Sequence, residues 1–347
     1  MTSWSVRHFQ DAGPMLPKAM NITIILCTYS RCQSLANTLE SLARSEMPES
    51  VFWEVLVVDN NSHDRTRAVV EGFCARHPHR FRYLFEPQAG KSHALNSGIR
   101  EAQGHILAFT DDDVIVEPTW LCKLTENLHK GEWAGTSGRT LPERNFSAPS
   151  WLSLDKPNLA TLGCFDRGVE ACELTEAPFG NNMAFRREVF EKHGGFCTEL
   201  GPQPGNLIRS EDTEFGLRLL AAGERLRYEP SAILHHAVPE DRIQEDYFLS
   251  WWFDKARADI RASGFDPDAG WYVAGIPLVL FRRLLAWTLR WLVAVKPAER
   301  FNRKITLWIV AGQILECYYL ARARKQSGVP ILPKDSAVSA PADPKRS

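Results

Sequence analysis

Short apolar runs alternate with stretches of helical period from residue 22 to about residue 110. Ile22-Thr23-Ile24-Ile25-Leu26-Cys27 has almost no polar position on either side, the pattern of a strand buried on both faces. Leu35, Leu39 and Leu42 then recur at helical spacing and fall on one face. Val55 to Val58 reads as a second buried strand ending at Asp59, followed by a helix over about 66 to 77. Phe81 to Phe85 gives a third strand, 91 to 102 a third helix, and Ile106 to Phe109 a fourth strand ending at Asp111. This alternation predicts an α/β fold with a mostly parallel central sheet flanked by helices. Ligands of such sheets bind beyond the carboxyl ends of the strands, where Thr28, Asp59 and Asp111 all fall.

From 131 to 180 the periodicity dissolves among Pro142, Pro149, Pro157 and Pro178, and long loops over the sheet are expected there. Helical patterns return at 187 to 193 and 212 to 222, strand-like pieces at 226 to 229 and 232 to 236, and a polar helix carries Trp251 and Trp252. Gly264, Pro267 and Gly270 mark a boundary before an apolar helical stretch that runs to about 325. The expected organisation is a leader over 1–20, an α/β domain over 21–265, a helical extension over 266–325, and a disordered Ala/Pro/Lys/Ser-rich tail over 326–347.

Charge changes the picture of the extension. The chain carries −1 overall, but residues 271 to 325 hold ten Lys/Arg against two acids, and residues 1 to 270 are acidic. The basic residues sit among Leu, Trp, Phe and Val, which fits a lipid surface better than nucleic acid. Residues 271 to 295 are long enough to span a bilayer, yet Arg282, Arg283 and Arg290 would each cost about 2.5 to 3.5 kcal/mol near its centre. On a helix Arg283 and Arg290 lie about 20° apart and Arg282 within about 100° of both. Charges gathered on one side predict a helix lying in the interface, with 305 to 320 packing back as a second. The alternative is a helical hairpin packed on the α/β domain or on a second subunit. Eight cysteines without a CxxC pair or zinc spacing, and no secretory signal before the first strand, point to reduced thiols facing the cytoplasm. A Cys164–Cys172 bridge is the competing reading.

Several polar clusters could carry chemistry, and each has a plainer explanation. Asp111-Asp112-Asp113 could be a solvated turn, but at a strand's carboxyl end three adjacent carboxylates call for a hard cation, Mg²⁺ or Mn²⁺, which commonly bridges to phosphates. Ser210-Glu211-Asp212 reads equally as a helix cap or as a carboxylate kept ionised at a helix N-terminus, ready to take a proton. Asp59 through Asp64 is either a plain turn or a base- and ribose-binding one. Gly90-Lys91-Ser92 imitates a phosphate loop, but Phe85 stands where that loop requires glycine. His235 and His236 on a strand point to opposite faces, so at most one faces a site.

In this order the segments resemble the inverting family 2 glycosyltransferases of the A-type nucleotide-sugar fold, over about 21 to 240. Cys27 through Arg31 is similar to the first-strand donor motif and Val57 through Ser62 to the base-binding turn. Gly90 through Gly98 looks like the donor-side helix, Phe109 through Asp113 like the DxD motif, Gly180 through Arg186 like the acceptor-side strand, and Glu211-Asp212 like the catalytic base. The resemblance implies Asp212 as general base, with Glu211 the next candidate. It implies donor contacts from Thr28, Tyr29, Arg31, Asp59, Asn61, Lys91, Asn96, Asp111 and Asp112, and acceptor contacts from Gly180, Asn181 and Asn182. It places the metal at Asp113 and His236. The expected reaction moves a sugar from a nucleotide-sugar, a UDP-sugar favoured, to a sugar or lipid-linked acceptor in surface polysaccharide or glycolipid assembly, at the inner face of the membrane and without nucleic acid. Processive synthases of the family carry Gln/Arg-x-x-Arg-Trp where this chain reads Ser250 through Lys255, so single-sugar transfer is expected. The alternatives are a nucleotidyltransferase or P-loop-like NTPase and, in another class, a non-catalytic membrane-bound scaffold.

Overall fold

The structure, a computed structural model, describes residues 22–143, 146–202, 210–264 and 270–327. The leader expected over 1–20, Pro267 and residues 328–347 of the expected tail lie outside these segments. The chain runs β1 (Ile22–Thr28), α1 (Cys32–Ala43), β2 (Trp53–Asp59), α2 (Thr66–Arg76), β3 (Phe81–Phe85), α3 (Lys91–Glu101), β4 (Ile106–Thr110) and β5 (Val114–Val116). It continues with α4 (Trp120–Thr125), β6 (Gly135–Pro142), α5 (Lys156–Thr161), β7 (Cys172–Glu173), β8 (Asn182–Arg186), α6 (Arg187–His193), α7 (Glu211–Ala221), β9 (Leu226–His236) and α8 (Glu245–Ser263). A small hairpin, β10 (Tyr272–Val273) and β11 (Ile276–Pro277), precedes α9 (Leu278–Leu292) and α10 (Pro297–Ser327).

The main sheet has the order β3-β2-β1-β4-β8-β6-β9-β5, with β7 added alongside β9. Pairing is parallel across β3-β2-β1-β4, where crossover helices cover both faces. Every residue of β1 and β2 is buried, which explains their largely apolar sequence; the buried Glu54 is held by Arg82 at 2.9 Å and Thr23 at 2.8 Å. Alternation splits them between two cores. Ile22, Ile24, Leu26, Val55 and Val57 meet Leu35, Leu39 and Leu42, while Ile25, Leu56 and Val58 meet Phe109, Phe185 and Phe215 on the other side.

Beyond β4 the sheet is mixed, because β8 joins antiparallel to β4 and to β6, and β9 runs parallel to β6. Strand β6 lies inside the stretch expected to be loop. Its buried start reads Gly135-Thr136-Ser137-Gly138, which carries no hydrophobic signal. Polar fastening replaces apolar content there: buried Asn182 donates to the carbonyls of Arg139 and Ala232 and accepts from Trp120 Nε1 at 2.8 Å. The two strand pieces expected over 226–236 form one strand, with a register shift opposite Gly138/Arg139.

The C-terminal helices divide their roles. Helix α10 lies along α8, with Gly312 so close that a Cβ would stand 2.5 Å from the Phe253 carbonyl oxygen. Glu316 is 1% exposed and receives Arg257 at 3.1 Å together with Arg261. Helix α9 buries Leu280 but leaves Phe281, Leu285, Leu289 and Leu292 exposed. Among the described residues no helix is long and apolar enough to cross a membrane. All eight cysteines are free, so Cys164 and Cys172 form no bridge.

Candidate active site

A cleft of 760 Å³ opens at the carboxyl ends of β1 and β4, between the N-termini of α3 and α7, with α8 along one wall. Sheet pairing assembles its floor. Thr110 stands opposite Asn182 across the β4–β8 ladder, so the acidic triplet and Gly180-Asn181 leave adjacent strands at the same edge. His236 closes β9 opposite Val114, next to Asp113.

The triplet divides into three environments. Asp111 accepts from Lys91 Nζ at 2.7 Å, and Glu211 lies 3.6 Å from the same ammonium. Burial alone would lower Lys91, but Asp111 and Glu211 hold it well above its ordinary value. Asp112 points inward, accepting from Thr28 Oγ1 at 2.7 Å and Arg31 at 3.1 Å. Burial pushes its carboxyl up to about 6, against the pull of Arg31. Asp113 faces His236 Nε2 at 3.2 Å, Arg31 at 3.0 Å and Arg242 at 2.9 Å. Burial opposes its charge, yet His236, Arg242 and Arg31 hold it far below the usual carboxylate range.

Across the cleft, Asp212 is held at both oxygens. The Gly180 N–H donates to Oδ2 at 2.8 Å and the Thr213 N–H to Oδ1 at 2.7 Å. A Cβ at 180 would stand 2.7 Å from Asp212 Oδ2 and push that carboxylate out of place. Ser210 does not cap α7 through its side chain. It takes a left-handed φ of 90°, an uncommon backbone for serine, immediately before Glu211 and Asp212. Burial pushes Glu211 up, with Lys91 opposing.

The other residues singled out from the sequence fall in several places. Tyr29 and Asn181 line the cleft, and Asn181 is fastened to Thr140 Oγ1 and the Gly163 carbonyl. The buried Asp59 closes its own turn, accepting from the Ser62 N–H and from Tyr83 Oη, both at 2.9 Å. Asn61 supplies the left-handed step of that turn at φ 64°. Asn60, rather than Asp59, reaches the cleft wall. Asn96 pins the loop at Phe196, donating to its carbonyl and accepting its N–H, both at 2.8 Å. Asn182 is the core fastener described above. Neither Asn96 nor Asn182 lies on the cleft wall. His235 pairs with Glu117 at 3.0 Å, on the opposite face from His236.

Sequence reasoning missed Arg242, which follows β9 by six residues with no motif around it, and the aromatic wall of Tyr247, Trp251 and Trp252. A helical face of aromatics was visible as pattern, but not its direction. Cys27 also lines the cleft, with burial pushing its thiol well above the usual cysteine range.

The donor set suits a hard divalent cation in one specific sense. Among the described residues no group of three or more His, Cys, Asp or Glu could hold a metal alone. Asp113 and His236 offer a carboxylate and an imidazole, and His236 Nδ1 is buried without a partner. One or two protein ligands completed by substrate phosphates is the usual arrangement for Mg²⁺.

Comparison with known proteins gives the family and the fold. The profile of Glycosyl transferase family 2 matches residues 23–194. Succinoglycan biosynthesis protein ExoM of Rhizobium meliloti is 32% identical over 235 residues, covering 67% of this chain and 71% of that protein. Glucosyl-dolichyl phosphate glucuronosyltransferase of Haloferax volcanii is 27% identical over 275 residues, covering 75% and 84%. The solved mannosyltransferase PcManGT from Pyrobaculum calidifontis, in complex with GDP-Man and Mn²⁺, superposes with a TM-score of 0.51 at 20% identity, over 89% of this chain and 79% of that one. The fold is that of an A-type glycosyltransferase. The chain belongs to glycosyltransferase family 2. The phosphate-loop reading gives way on the structure as well, because Lys91 spends its charge on Asp111 rather than facing a backbone nest.

Proposed function

We propose that the protein transfers one sugar from a nucleotide-sugar, a UDP-sugar favoured, to a hydroxyl of a sugar or lipid-linked acceptor with inversion, in polysaccharide or glycolipid assembly. The observation that carries this is Asp212, oriented by the Gly180 and Thr213 N–H groups in the same cleft as Asp113 and His236. Asp212 takes the acceptor proton while the acceptor oxygen attacks the anomeric carbon and the bond to the diphosphate breaks on the opposite face. Asp113 and His236 would hold Mg²⁺ or Mn²⁺, which neutralises charge on the leaving diphosphate. Thr28 and Arg31 act through Asp112 and Asp113, and Asp59 and Asn60 shape the base-side turn. Support for the acceptor class comes from relatives named for succinoglycan biosynthesis and for glucosyl-dolichyl phosphate.

The open face of α9 supports a position at the inner surface of the membrane. Phe281, Leu285, Leu289 and Leu292 are exposed on one face, and Arg282 borders it. Thermal shift against a panel of nucleotide-sugars, with and without Mn²⁺, tests the donor reading. One sugar nucleotide should stabilise the protein only with the metal, and Asp113→Asn should remove that stabilisation. Equal shifts in both proteins would take Asp113 out of the donor site.

A further inference from the structure

The Asp113 carboxylate has no free oxygen. Oδ2 receives Arg31 at 3.0 Å and Arg242 at 2.9 Å, and Oδ1 meets His236 Nε2 at 3.2 Å. Arg242 also places Nη1 3.3 Å from that same His236 Nε2. A single guanidinium therefore covers both protein groups proposed to hold the cation. The charges already balance, with Asp112 and Asp113 facing Arg31 and Arg242. A divalent ion entering alone would have to displace a guanidinium and would leave two extra positive charges in a buried place. A diphosphate entering with the ion removes that excess. It also gives the displaced guanidiniums a new partner, because their planar forks match phosphate oxygens. Arg31 can leave readily, since its side chain is 49% exposed, whereas Arg242, at 16%, is held against the cleft floor.

We propose that Arg242, assisted by Arg31, is an exchangeable counter-ion that covers Asp113 and His236 until a nucleoside diphosphate arrives, so that cation and diphosphate bind as a pair and the cation alone binds poorly. The inference rests on the donor-site reading above and adds an order of binding to it. Arg242 is a donor-binding residue in this scheme. Its two partnerships are alternatives, Asp113 before the donor enters and the diphosphate afterwards. Linkage makes the coupling reciprocal, so Mn²⁺ should tighten nucleotide binding by the same factor by which nucleotide tightens Mn²⁺.

Mn²⁺ titration of the full chain, followed by electron paramagnetic resonance alone and with saturating UDP or GDP, tests this without any turnover. The wild type should bind Mn²⁺ weakly alone and at least about fivefold more tightly with one of the two nucleotides. Arg242→Gln should bind Mn²⁺ alone at least about fivefold more tightly than wild type and lose most of the nucleotide enhancement. Arg242→Lys keeps a charge and should stay near wild type in Mn²⁺ affinity, a result that loss of packing would not give. If Arg242→Gln does not fold, Arg31→Gln should shift Mn²⁺ binding in the same direction. Unchanged or weaker Mn²⁺ binding by the folded variant, with nucleotide enhancement intact, overturns the exchange and leaves the donor site standing. A wild type that takes up Mn²⁺ in neither condition overturns the donor site itself.

Discussion

The floor of the cleft and the outer face of α9 both hold groups that cost free energy where they stand, and they differ in whether a partner is already in place. In the cleft, Asp111, Asp112 and Asp113 each meet a cation within 3.2 Å. On α9, Leu285 and Leu289 are 64% and 57% exposed, and Trp271 beside its hairpin is 84% exposed. A buried charge must be paired inside the protein, because leaving it unpaired costs several kcal/mol. An exposed leucine costs far less, so it can wait for a partner outside the chain. The adjoining helix α10 is the control. It is also amphipathic, but it buries Phe301, Ile305, Val310 and Cys317 against its neighbours and leaves Trp308, Tyr318 and Tyr319 about half-exposed, aromatic rather than aliphatic surface.

The sharpest way to break this contrast is Glu316→Ala. It takes the shared buried partner from Arg257 and Arg261, leaving Arg257 only Asp254 at 3.4 Å among the described acids, and should cost about 3 kcal/mol, measured by urea unfolding. A loss below about 1 kcal/mol would reduce the cluster to an ordinary surface pair. Next in size is Asp212→Asn. Turnover should fall about 10²-fold or more while donor affinity holds, checked by steady-state transfer and calorimetry. Transfer at the wild-type rate would move the base to Glu211. The smallest effect is expected outside the cleft. Leu285→Glu with Leu289→Glu should weaken sedimentation with anionic liposomes about tenfold, since completing the burial of each half-exposed leucine contributes about 0.7 kcal/mol or more. Melting temperature should stay put because both positions are exposed. A lower melting temperature with unchanged liposome binding would make α9 a packing helix. Truncation near Gly270 would not separate these readings, because it removes α10 from behind the cleft wall.

The same contrast explains what the sequence revealed. The strands β1, β2 and β4 were legible because burial on both faces favours short apolar runs, such as Val55 to Val58 in β2. Strand β6 was not, because Asn182 and Trp120 fasten Gly, Thr and Ser in place without hydrophobic pattern. Acidic clusters at strand ends announced the floor of the cleft, where sheet pairing brings Asp113, His236, Gly180 and Asp212 around one space. Asn96 and Asn182 stood inside motif-like segments, yet both amides serve backbone groups. Arg242 gave no local signal at all, because its place depends on how the chain turns after β9 and on nothing adjacent to it in sequence.

Helix α8 presents Trp251, Trp252 and Lys255 to the cleft and Arg257 and Arg261 to Glu316 under α10. These two sets are locked in phase around one axis. One residue added between Lys255 and Arg257 would turn one set about 100° against the other and advance it about 1.5 Å. Length in this helix is therefore under tighter restraint than identity. Its exposed positions can change freely, but an insertion or deletion there would reach the cleft wall and the C-terminal helices together.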